Sequence, residues 1–312
     1  MYDTTKPYKK EIIELIKTTW NTRYANVENG IVVNRKFRGK DFHHVDGIGT
    51  KGVYYWQKKL FDSAVMDALA MNLNDLAAER AIPYALTDHI MIPKDNKGYI
   101  LEIVKSLVNE CKERDIVILN GETAIHNNMD GLEISVNMVG FVKKPKPNKF
   151  NLGDILIGIE SNGLHSNGFS KIRKLFKDKF RMEFITPTRD YIDKIFEIDK
   201  KININGMCHI TGGAYIKLQD LLYNNNLQIR KNHILKPQDI YYEIYEKGVS
   251  DYEMYKTFNC GIGFILGINK KDENKFIDEM AGRFKCDVIG KITKGNGKIK
   301  IESQFSKRKI EF

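Results

Sequence analysis

Acidic and amide side chains gather in the first half of the chain, where predicted strands and helices give way to loops. Their oxygens are the hard ligands that Mg²⁺ takes, with water and nucleotide phosphates filling its other positions. Taken singly, each residue more often marks a turn or a helix end. Taken together, they predict a magnesium site. The candidates are Asp46 in "VDGIGTK", Asn74 and Asp75 in "NLNDL", Asp88 in "LTDH" and Glu122 in "NGETA".

The predicted helix "DSAVMDALAMNLNDLAAERA" carries carboxylates in an otherwise apolar segment. Asp67 and Asp75 lie eight residues apart, which places them about 80° apart around a helix of 3.6 residues per turn. Burying carboxylates and asparagines costs free energy unless they are ion-paired, hydrogen-bonded or bound to a metal. The segment therefore favours a functional role.

Two glycine-rich turns are candidates for binding an anion. In "GIGTKG", residues 47–52, glycines let backbone N–H groups approach a phosphate, and Lys51 adds a positive charge. The loop lacks the GxxxxGK[ST] pattern of a Walker A motif. It is also not the GxGxxG of a dinucleotide-binding fold, because Asp46 precedes it and no helix is predicted directly after it. The second turn, "TGGA" at residues 211–214, opens a helix whose N-terminal amides could hold an anion, or is simply a helix start.

The segment "IESNGLHSNGFSKIRKLF", residues 159–176, is a third candidate. Its two Asn-Gly pairs predict turns, and a basic amphipathic helix is predicted to begin near Gly168. His165, Ser166 and Asn167 would then lie at a helix N-terminus, where free amides and the helix dipole favour an anion. The alternative is a plain turn before a helix.

Other chemistries find no support in the sequence. The chain has no GxSxG, no HExxH and no cysteine with an evident catalytic partner, which excludes the usual hydrolases and zinc enzymes. The cysteines are far apart, without a CxxC pair, and are predicted to be free thiols. They are Cys111, Cys208, Cys260 and Cys286. Pattern alone predicts a two-domain enzyme that handles phosphorylated ligands with Mg²⁺.

The length and net charge of the chain indicate how many domains it has and which kinds of ligand it binds. A chain of 312 residues suits two domains, each with its own core. The net charge of +10 would suit anions, but the lysines are spread along the chain without an arginine-rich or aromatic patch, so we expect small anions and no nucleic acid. No apolar run is long enough to cross a bilayer, and the N-terminus lacks a signal-peptide core. We therefore expect no membrane association and a cytoplasmic location.

Periodicity in the first half predicts an α+β domain with helices on one face of a sheet. The predicted strands are "GIVVNRKF", "KDFHHVDG", "IPYALTDHIMI", "DIVILN" and "GLEISVNMVGFV", with "GETAIHNNMD" as a loop between the last two. The predicted helices are the aspartate-bearing segment above and "GYILEIVKSLVNECKERD".

A proline- and lysine-rich stretch, "KKPKPNKFNLGD" at residues 143–154, is the predicted boundary between domains 1–145 and 146–312. After it, the predicted strands are "ILIGIES", "CGIGFILGI", "CDVIGKI" and "KIKIESQF". The predicted helices are "GFSKIRKLFKDKF", "PTRDYIDKIFEIDKK" with a proline near its first turn, the segment opened by the Gly-Gly turn, and "KDENKFIDEMAGRF".

Taken in order, these segments resemble the aminoimidazole ribonucleotide synthetase family, the phosphoribosylformylglycinamidine cyclo-ligases of purine biosynthesis. The resemblance runs from about residue 41 to the C-terminal region and is carried by "VDGIGTK", "DALAMNLNDLAAERAIPYALTDH", "NGETA", "GDILIGIESNGLHSNGFSKIRKLF", "TPTRDYIDKI", "HITGGA" and "EMYKTFNCGIG". It implies a two-domain, α+β PurM-like fold. An N-terminal domain would bind ATP and Mg²⁺ and pair its sheet with that of a second copy into a homodimer, and a C-terminal α/β domain would bind substrate.

The resemblance also implies a reaction. ATP phosphorylates the formamide oxygen of formylglycinamidine ribonucleotide, a nitrogen attacks the resulting imidate carbon, and the imidazole closes with loss of phosphate. The products are aminoimidazole ribonucleotide, ADP and phosphate.

Site residues follow from the resemblance position by position. The implied catalytic residues are His165, as a proton-transfer or orienting group, Asp75 and Lys51. The implied metal ligands are Asp46, Asp75 and Glu122. The implied nucleotide-binding residues are Asp46, Gly47, Lys51, Asp67, Asn74, Asp88 and Thr123. The implied substrate-binding residues are Ser166, Asn167, Gly168, Thr211, Gly212 and Gly213.

The chain departs from the family pattern at several points, and these leave two alternatives open. After "GET" it reads "AIHNN", with Ile125 where an acidic residue is usual, and "NVENGIVVNRKFRGKDFHH" is short and poor in glycine. The alternatives are another ATP-dependent enzyme of the same superfamily, or a catalytically silent nucleotide-binding dimer.

Overall fold

The chain folds into two units, and the computed structural model describes residues 8–177 and 179–312. The first unit contains the chain up to Leu76, Arg80–Pro145 and the returning segment Phe180–Pro187. The second contains Ala77–Glu79, Lys146–Lys179 and Thr188–Phe312. The units thus change at Pro145, within the proline-rich stretch, but a simple cut there misses the segment that returns to the first unit.

The first unit contains both helices and strands. Its helices are α1 (Lys9–Lys17), α2 (Gly52–Lys58), α3 (Phe61–Ala78) and α4 (Lys97–Glu113), with 3₁₀ turns at Gly49–Lys51 and Met182–Ile185. Its strands are β1 (Ala25–Glu28), β2 (Ile31–Arg35), β3 (Lys40–Gly47), β4 (Ile82–Ile92), β5 (Val117–Ile125) and β6 (Glu133–Val142).

The main sheet of this unit has the strand order β3-β6-β4-β5, with β4 and β5 parallel and the other pairs antiparallel. Alternate residues of β6, such as Ile134, Val136 and Met138, are fully buried. Leu76 of α3 packs on Gly140 of β6, where a Cβ would come within 2.7 Å of its side chain. The opposite face is covered at one end by a buried cluster that includes Ala25, Val27 and Phe141. Its other end is exposed, and Val45 on the edge strand β3 is 68% exposed.

Two predictions for the first unit were wrong. A helix does follow the "GIGTKG" loop directly, because α2 begins at Gly52. The segment "GETAI" is the second half of β5 and not a loop. Its polar residues belong to a strand because β5 keeps pairing with β4, with Glu122 opposite His89.

The second unit is built on a sheet with the order β13-β12-β9-β11-β7-β10-β8, antiparallel except for the pair of β9 and β12. Its strands are β7 (Ile155–Glu160), β8 (Ile204–His209), β9 (Asn225–Ile229), β10 (Ile262–Ile268), β11 (Cys286–Lys294), β12 (Ile299–Glu302) and β13 (Lys309–Glu311). Every residue of β10 is buried, as expected for a strand covered on both faces.

Helices connect these strands. They are α5 (Phe169–Phe176), α6 (Ile192–Asp199), α7 (Asp239–Glu246), α8 (Asp251–Thr257) and α9 (Glu273–Met280), with 3₁₀ segments at Ala214–Leu221 and Lys270–Asp272. The α+β class is confirmed. Proline does not open α6, however, because that helix begins at Ile192, five residues after Pro187, and the Gly-Gly turn leads into a 3₁₀ helix.

Candidate functional site

A cavity of about 490 Å³ in the second unit joins two of the three predicted anion-binding turns. One wall comes from the loop between β7 and α5, a second from the Gly-Gly turn and the 3₁₀ helix after it, and a third from the end of α8. The lining residues are Asn167, Gly168, Gly212, Gly213, Ile216, Lys217, Gln219, Asp220, Lys256 and Thr257. The sequence analysis named the first four.

Asn167 and Gly168 form the first wall. Asn167 is only 8% exposed, and its Nδ2 has no hydrogen-bond partner among the described residues. A buried amide left without an acceptor costs free energy, so this N–H group is suited to a ligand oxygen. Gly168 has a φ of 74°, and a Cβ there would lie 2.3 Å from the ring of Phe258. Only glycine fits this wall.

The second wall follows from the Gly-Gly turn. Gly213 has a φ of 78°, a backbone conformation that glycine adopts without strain. Lys217, one turn later, donates a hydrogen bond of 2.7 Å to the hydroxyl of Thr211. With Lys256 from α8, two lysines face one carboxylate, Asp220, among the lining residues. The excess positive charge favours an anion.

His165 does not line this cavity. Its ring is 1% exposed and lies 6.3 Å from the ring of Tyr191 and 6.0 Å from that of His209, centroid to centroid. A Cβ on Gly263 would come within 2.8 Å of His165 Cε1. The geometry therefore does not support proton transfer by His165 to a ligand in the cavity, and favours a role in shaping the loop.

Ser166 and Thr211, two further predicted substrate residues, also lie behind the cavity wall. Ser166 Oγ is 3.3 Å from the hydroxyl of Thr188. Thr211 is 3% exposed and accepts the hydrogen bond from Lys217. Both support the loops from behind.

Lys51 is not placed to face a phosphate. Its side chain is fully buried, its Nζ is 2.7 Å from Asp67 Oδ2, and it donates a 2.6 Å hydrogen bond to the carbonyl of Thr186. The hydroxyl of Tyr55 donates to the same carboxylate. Burial lowers the pKa of Lys51, and the charge and hydrogen bond of Asp67 oppose that shift. Lys51 and Asp67 thus form an interior ion pair, which explains how a carboxylate is accommodated in the apolar helix α3.

Asp46 and Asp75 both act on His44. His44 Nε2 lies 3.2 Å from Asp75 Oδ2, and its Nδ1 lies 2.9 Å from Asn72 Oδ1. Burial works to lower the pKa of His44, but the hydrogen bonds to Asp75 and Asn72 and the charges of Asp75 and Asp46 outweigh it, so the pKa is raised. Two carboxylates thus act on one imidazole ring.

Glu122 cannot join these two carboxylates within one chain. Asp46 pairs with Val136 and Val136 with Asp88, so their side chains share the helix-covered face of the sheet. Glu122 pairs with His89, one position along, and projects from the opposite face. In residues 8–177 and 179–312, no three His, Cys, Asp or Glu side chains are grouped to hold a metal ion. The three predicted metal ligands are therefore not brought together.

The rest of the predicted nucleotide set lies mostly in the interior. Asn74, Asp88 and Thr123 are no more than 7% exposed. Gly47 lies on the edge strand, where a Cβ would be 2.4 Å from Glu133 Oε1. Direct contact of these side chains with nucleotide phosphates would require rearrangement.

Sequence reasoning missed Lys217, Lys256 and His44. Lys256 lies inside "EMYKTFNCGIG", and Lys217 follows "TGGA" by three residues. Both motifs therefore indicated the right part of the chain, but neither indicated that its lysines line a cavity. The sequence "FHHVDG" gives no sign that His44 would reach Asp75. The prediction of free thiols is confirmed, because all four cysteines are buried and unbridged.

The chain is similar to known proteins along most of its length. Residues 36–142 and 151–302 match the families described as AIR synthase related protein, N-terminal domain and C-terminal domain. The chain is 34% identical to the phosphoribosylformylglycinamidine cyclo-ligase of Saccharolobus solfataricus, over 81% of this chain and 79% of that protein. It is 32% identical to that of Pyrococcus horikoshii, over 85% and 83%.

Solved structures share the fold at low identity. The hydrogenase maturation protein HypE in complex with ATP superposes with a TM-score of 0.75 at 10% identity, over 99% of this chain and 95% of that one. Thiamine-monophosphate kinase from Stenotrophomonas maltophilia K279a gives 0.69 at 14%, over 97% and 98%. In the part of the chain that the structure describes, every helix is too short or too polar to cross a membrane.

Proposed function

Because the chain belongs to the AIR synthase related family, we propose that it is a phosphoribosylformylglycinamidine cyclo-ligase. It would use ATP to close formylglycinamidine ribonucleotide into aminoimidazole ribonucleotide, releasing ADP and phosphate. Relatives of that name match about four fifths of the chain at 32–34% identity.

The cavity of the second unit is the observation that carries this proposal. Its lining joins the "HSNG" and "TGG" loops, a buried amide without an acceptor, and two lysines against one carboxylate. A phosphorylated ribose offers the acceptor oxygens and negative charge that such a lining lacks. We therefore assign the ribonucleotide to this cavity, with Asn167 and the two lysines as its ligands.

The chemistry requires activation of an amide oxygen, which is a poor leaving group until it is phosphorylated. The protein's task is then to orient the attacking nitrogen and to stabilise charge on the transferring phosphoryl group. We assign orientation to the loop that carries Asn167 and Gly168, with His165 shaping it from behind.

Asp46 and Asp75 would hold Mg²⁺, since one or two carboxylates with phosphate and water oxygens are its usual set. Bound there, Mg²⁺ would neutralise charge on the nucleotide phosphates. The charges of both residues already act on His44, so a cation is suited to the same place. Glu122 is left out of the set because it projects from the other face of the sheet.

We further propose a homodimer formed through the exposed end of the first unit's sheet face opposite the helices, and a cytoplasmic location. The exposed Val45 on that face supports the first proposal. Buried free thiols suit a reducing compartment and support the second.

The test is turnover of the purified protein with ATP, Mg²⁺ and formylglycinamidine ribonucleotide. We expect phosphate release that depends on the ribonucleotide and matches aminoimidazole ribonucleotide formed one to one. Substrate-independent ATP hydrolysis would point to another enzyme of the superfamily, and ATP binding without hydrolysis to a silent dimer; either result rejects the cyclo-ligase.

A pair of lysine variants links that activity to the cavity. Lys256→Gln should raise the KM for the ribonucleotide about threefold to tenfold, since it removes one charge facing an anion. Lys271→Gln, at an exposed lysine outside the cavity, should leave the KM unchanged. Equal effects of the two substitutions on the KM would mean that the ribonucleotide does not bind in this cavity.

A further inference from the structure

Three chain segments line the cavity, and each of them adjoins or contacts Phe258 or Asn259. Lys256 and Thr257 line it directly from the residues just before this pair. Gly168, at the end of the first loop, packs against the ring of Phe258. Tyr215, two residues after the Gly-Gly turn, donates a 2.9 Å hydrogen bond from its hydroxyl to the carbonyl of Asn259.

Asn259 also holds the start of the loop between β7 and α5. Its side chain is 1% exposed. Its Oδ1 accepts hydrogen bonds from Ser161 Oγ at 2.8 Å and from the Gly261 amide at 2.9 Å. Its Nδ2 donates to the carbonyl of Gly163 at 2.8 Å. Both polar atoms of the buried amide thus have partners, and the bonds to Ser161 and Gly163 fix the entry of the loop.

The carbonyl of Gly163 is the point at which this network fixes the loop. Besides the bond from Asn259, it lies 2.8 Å from the hydroxyl of Tyr241, which also lies 2.8 Å from Asn259 Oδ1 and can donate its one proton to either oxygen. Gly163 has a φ of 139° and His165, two residues later, a φ of 56°. Both are in the left-handed half of backbone space, which costs a non-glycine residue free energy and persists only when the surroundings impose it. The Asn259 amide and the Tyr241 hydroxyl together supply that constraint.

Resting on the proposed function, we propose that Asn259 is the positioning residue of the substrate cavity. It does not line the cavity, and it acts through the segments that do. Its side chain fixes the loop that presents Asn167, its carbonyl anchors the 3₁₀ helix that presents Lys217, and its own chain neighbours present Lys256. The cavity therefore keeps its shape before a ligand arrives, which lowers the ordering cost of binding.

Asn259→Asp is the sharpest variant because it keeps the shape of the side chain. The carboxylate still accepts from Ser161 and Gly261, but it turns an acceptor toward the Gly163 carbonyl where a donor stood. Asn148→Asp is the matched control. Asn148 also holds main chain in the second unit, away from the cavity lining: it accepts from the Met207 amide at 2.7 Å and donates to the Met207 carbonyl at 3.0 Å. Its Nδ2 also donates to Glu79 Oε1 at 3.2 Å.

The first measurement is steady-state kinetics. Asn259→Asp should raise the KM for the ribonucleotide about tenfold, as expected for loss of one well-made buried hydrogen bond. The KM for ATP should remain that of the parent protein, whereas a general loss of folded protein would lower the maximal rate without such a split. Asn148→Asp should leave both KM values unchanged.

The second measurement needs no turnover. Amide hydrogen exchange without ligand should be faster in residues 161–168 and 211–215 of Asn259→Asp, and unchanged there in Asn148→Asp. If the parent protein fails to turn over the ribonucleotide, the proposed function falls and the exchange measurement still decides the role of Asn259. Parent-like exchange in both segments would overturn that role.

If Asn259→Asp does not fold, a milder variant still tests the proposal. Tyr241→Phe keeps Asn259 and removes the hydroxyl that lies 2.8 Å from both the Gly163 carbonyl and Asn259 Oδ1. It should raise the KM for the ribonucleotide about threefold with faster exchange in residues 161–168. An unchanged KM and unchanged exchange in that variant would equally overturn the proposal.

Discussion

At the scale of single residues, Lys51 was predicted to be catalytic, but the structure places it in an interior ion pair with Asp67. Both side chains are fully buried, and a buried pair gains little net stability because desolvation offsets the attraction. Removing one partner is a different matter, since it leaves an uncompensated charge in the interior. The pair can therefore be probed by single and double substitution.

Lys51→Met should destabilise the first unit by about 3–5 kcal/mol, because Asp67 is left buried without its cation. Lys51→Met combined with Asp67→Leu should recover most of that loss. Urea unfolding of the three proteins measures both effects through the midpoint and slope.

Nucleotide binding by the double variant then tests the two roles of Lys51. If Lys51 only supports the fold, the double variant binds ATP as the parent does. Loss of ATP affinity in a stably folded double variant would support the predicted nucleotide-binding role of the Lys51 and Asp67 pair.

His233 is a buried histidine of the second unit whose protonation opposes folding. Burial, with help from the charge of Lys236, lowers the pKa of His233 to about 4. His233 Nε2 lies 3.1 Å from Gln304 Nε2, so the neutral ring can accept from that amide, whereas a protonated ring would set two donors against each other.

The sign of the pH effect follows from the direction of the shift. A histidine in the unfolded chain has a pKa near 6.5. As the pH falls from about 6.5 towards 4, the unfolded state therefore binds a proton at His233 while the folded state remains neutral there. His233 therefore does not reduce the free energy of unfolding above about pH 6.5, and reduces it increasingly as the pH falls from about 6.5 to 4.

His233→Gln should flatten the loss of stability between about pH 6.5 and 4 relative to the parent protein. Thermal unfolding midpoints across this range measure it, with His126→Gln as the matched change at an exposed histidine. His44, whose pKa is raised, contributes in the opposite direction in both proteins and cancels in the difference. Parallel curves for His233→Gln and the parent would contradict the prediction.

At the scale of elements, the sequence predicts a strand or helix well where its pattern is local. The alternation of β3 and the long apolar run of β4 give their observed bounds, Lys40–Gly47 and Ile82–Ile92. The second half of β5 could not be found this way. "GETAI" has the composition of a loop, and it is a strand only because β4 supplies its hydrogen-bond partners.

The same distinction explains what could be predicted of the site. Asn167, Gly168, Gly212 and Gly213 are turn residues with a local signature, and the cavity brings them together. The cations of the lining and the Asn259 network depend on contacts between segments up to 98 residues apart. The interior position of Lys51 likewise depends on its pairing with Asp67. No local pattern in a single sequence encodes such pairings.

At the scale of the whole molecule, the exposed end of the first unit's sheet, on the face opposite the helices, is a candidate surface for another chain. Val45 lies on the edge strand β3 and is 68% exposed, and His43 on the same face is also exposed. An edge strand with exposed apolar side chains is a ready site for pairing or packing with another chain. A second copy of the same sheet is the occupant that the family resemblance implies.

Val45→Glu should weaken the proposed dimer by about tenfold or more, because a carboxylate would be buried on the packed face without a partner. Sedimentation over a range of protein concentrations measures the monomer–dimer equilibrium. Leu152→Glu is the matched control, since Leu152 is 61% exposed in the second unit and should not affect association. A parent protein that sediments as a monomer, or equal shifts in both variants, would mean that this face does not hold a second copy. The apolar side chain of Val45 would then have to be covered by something else.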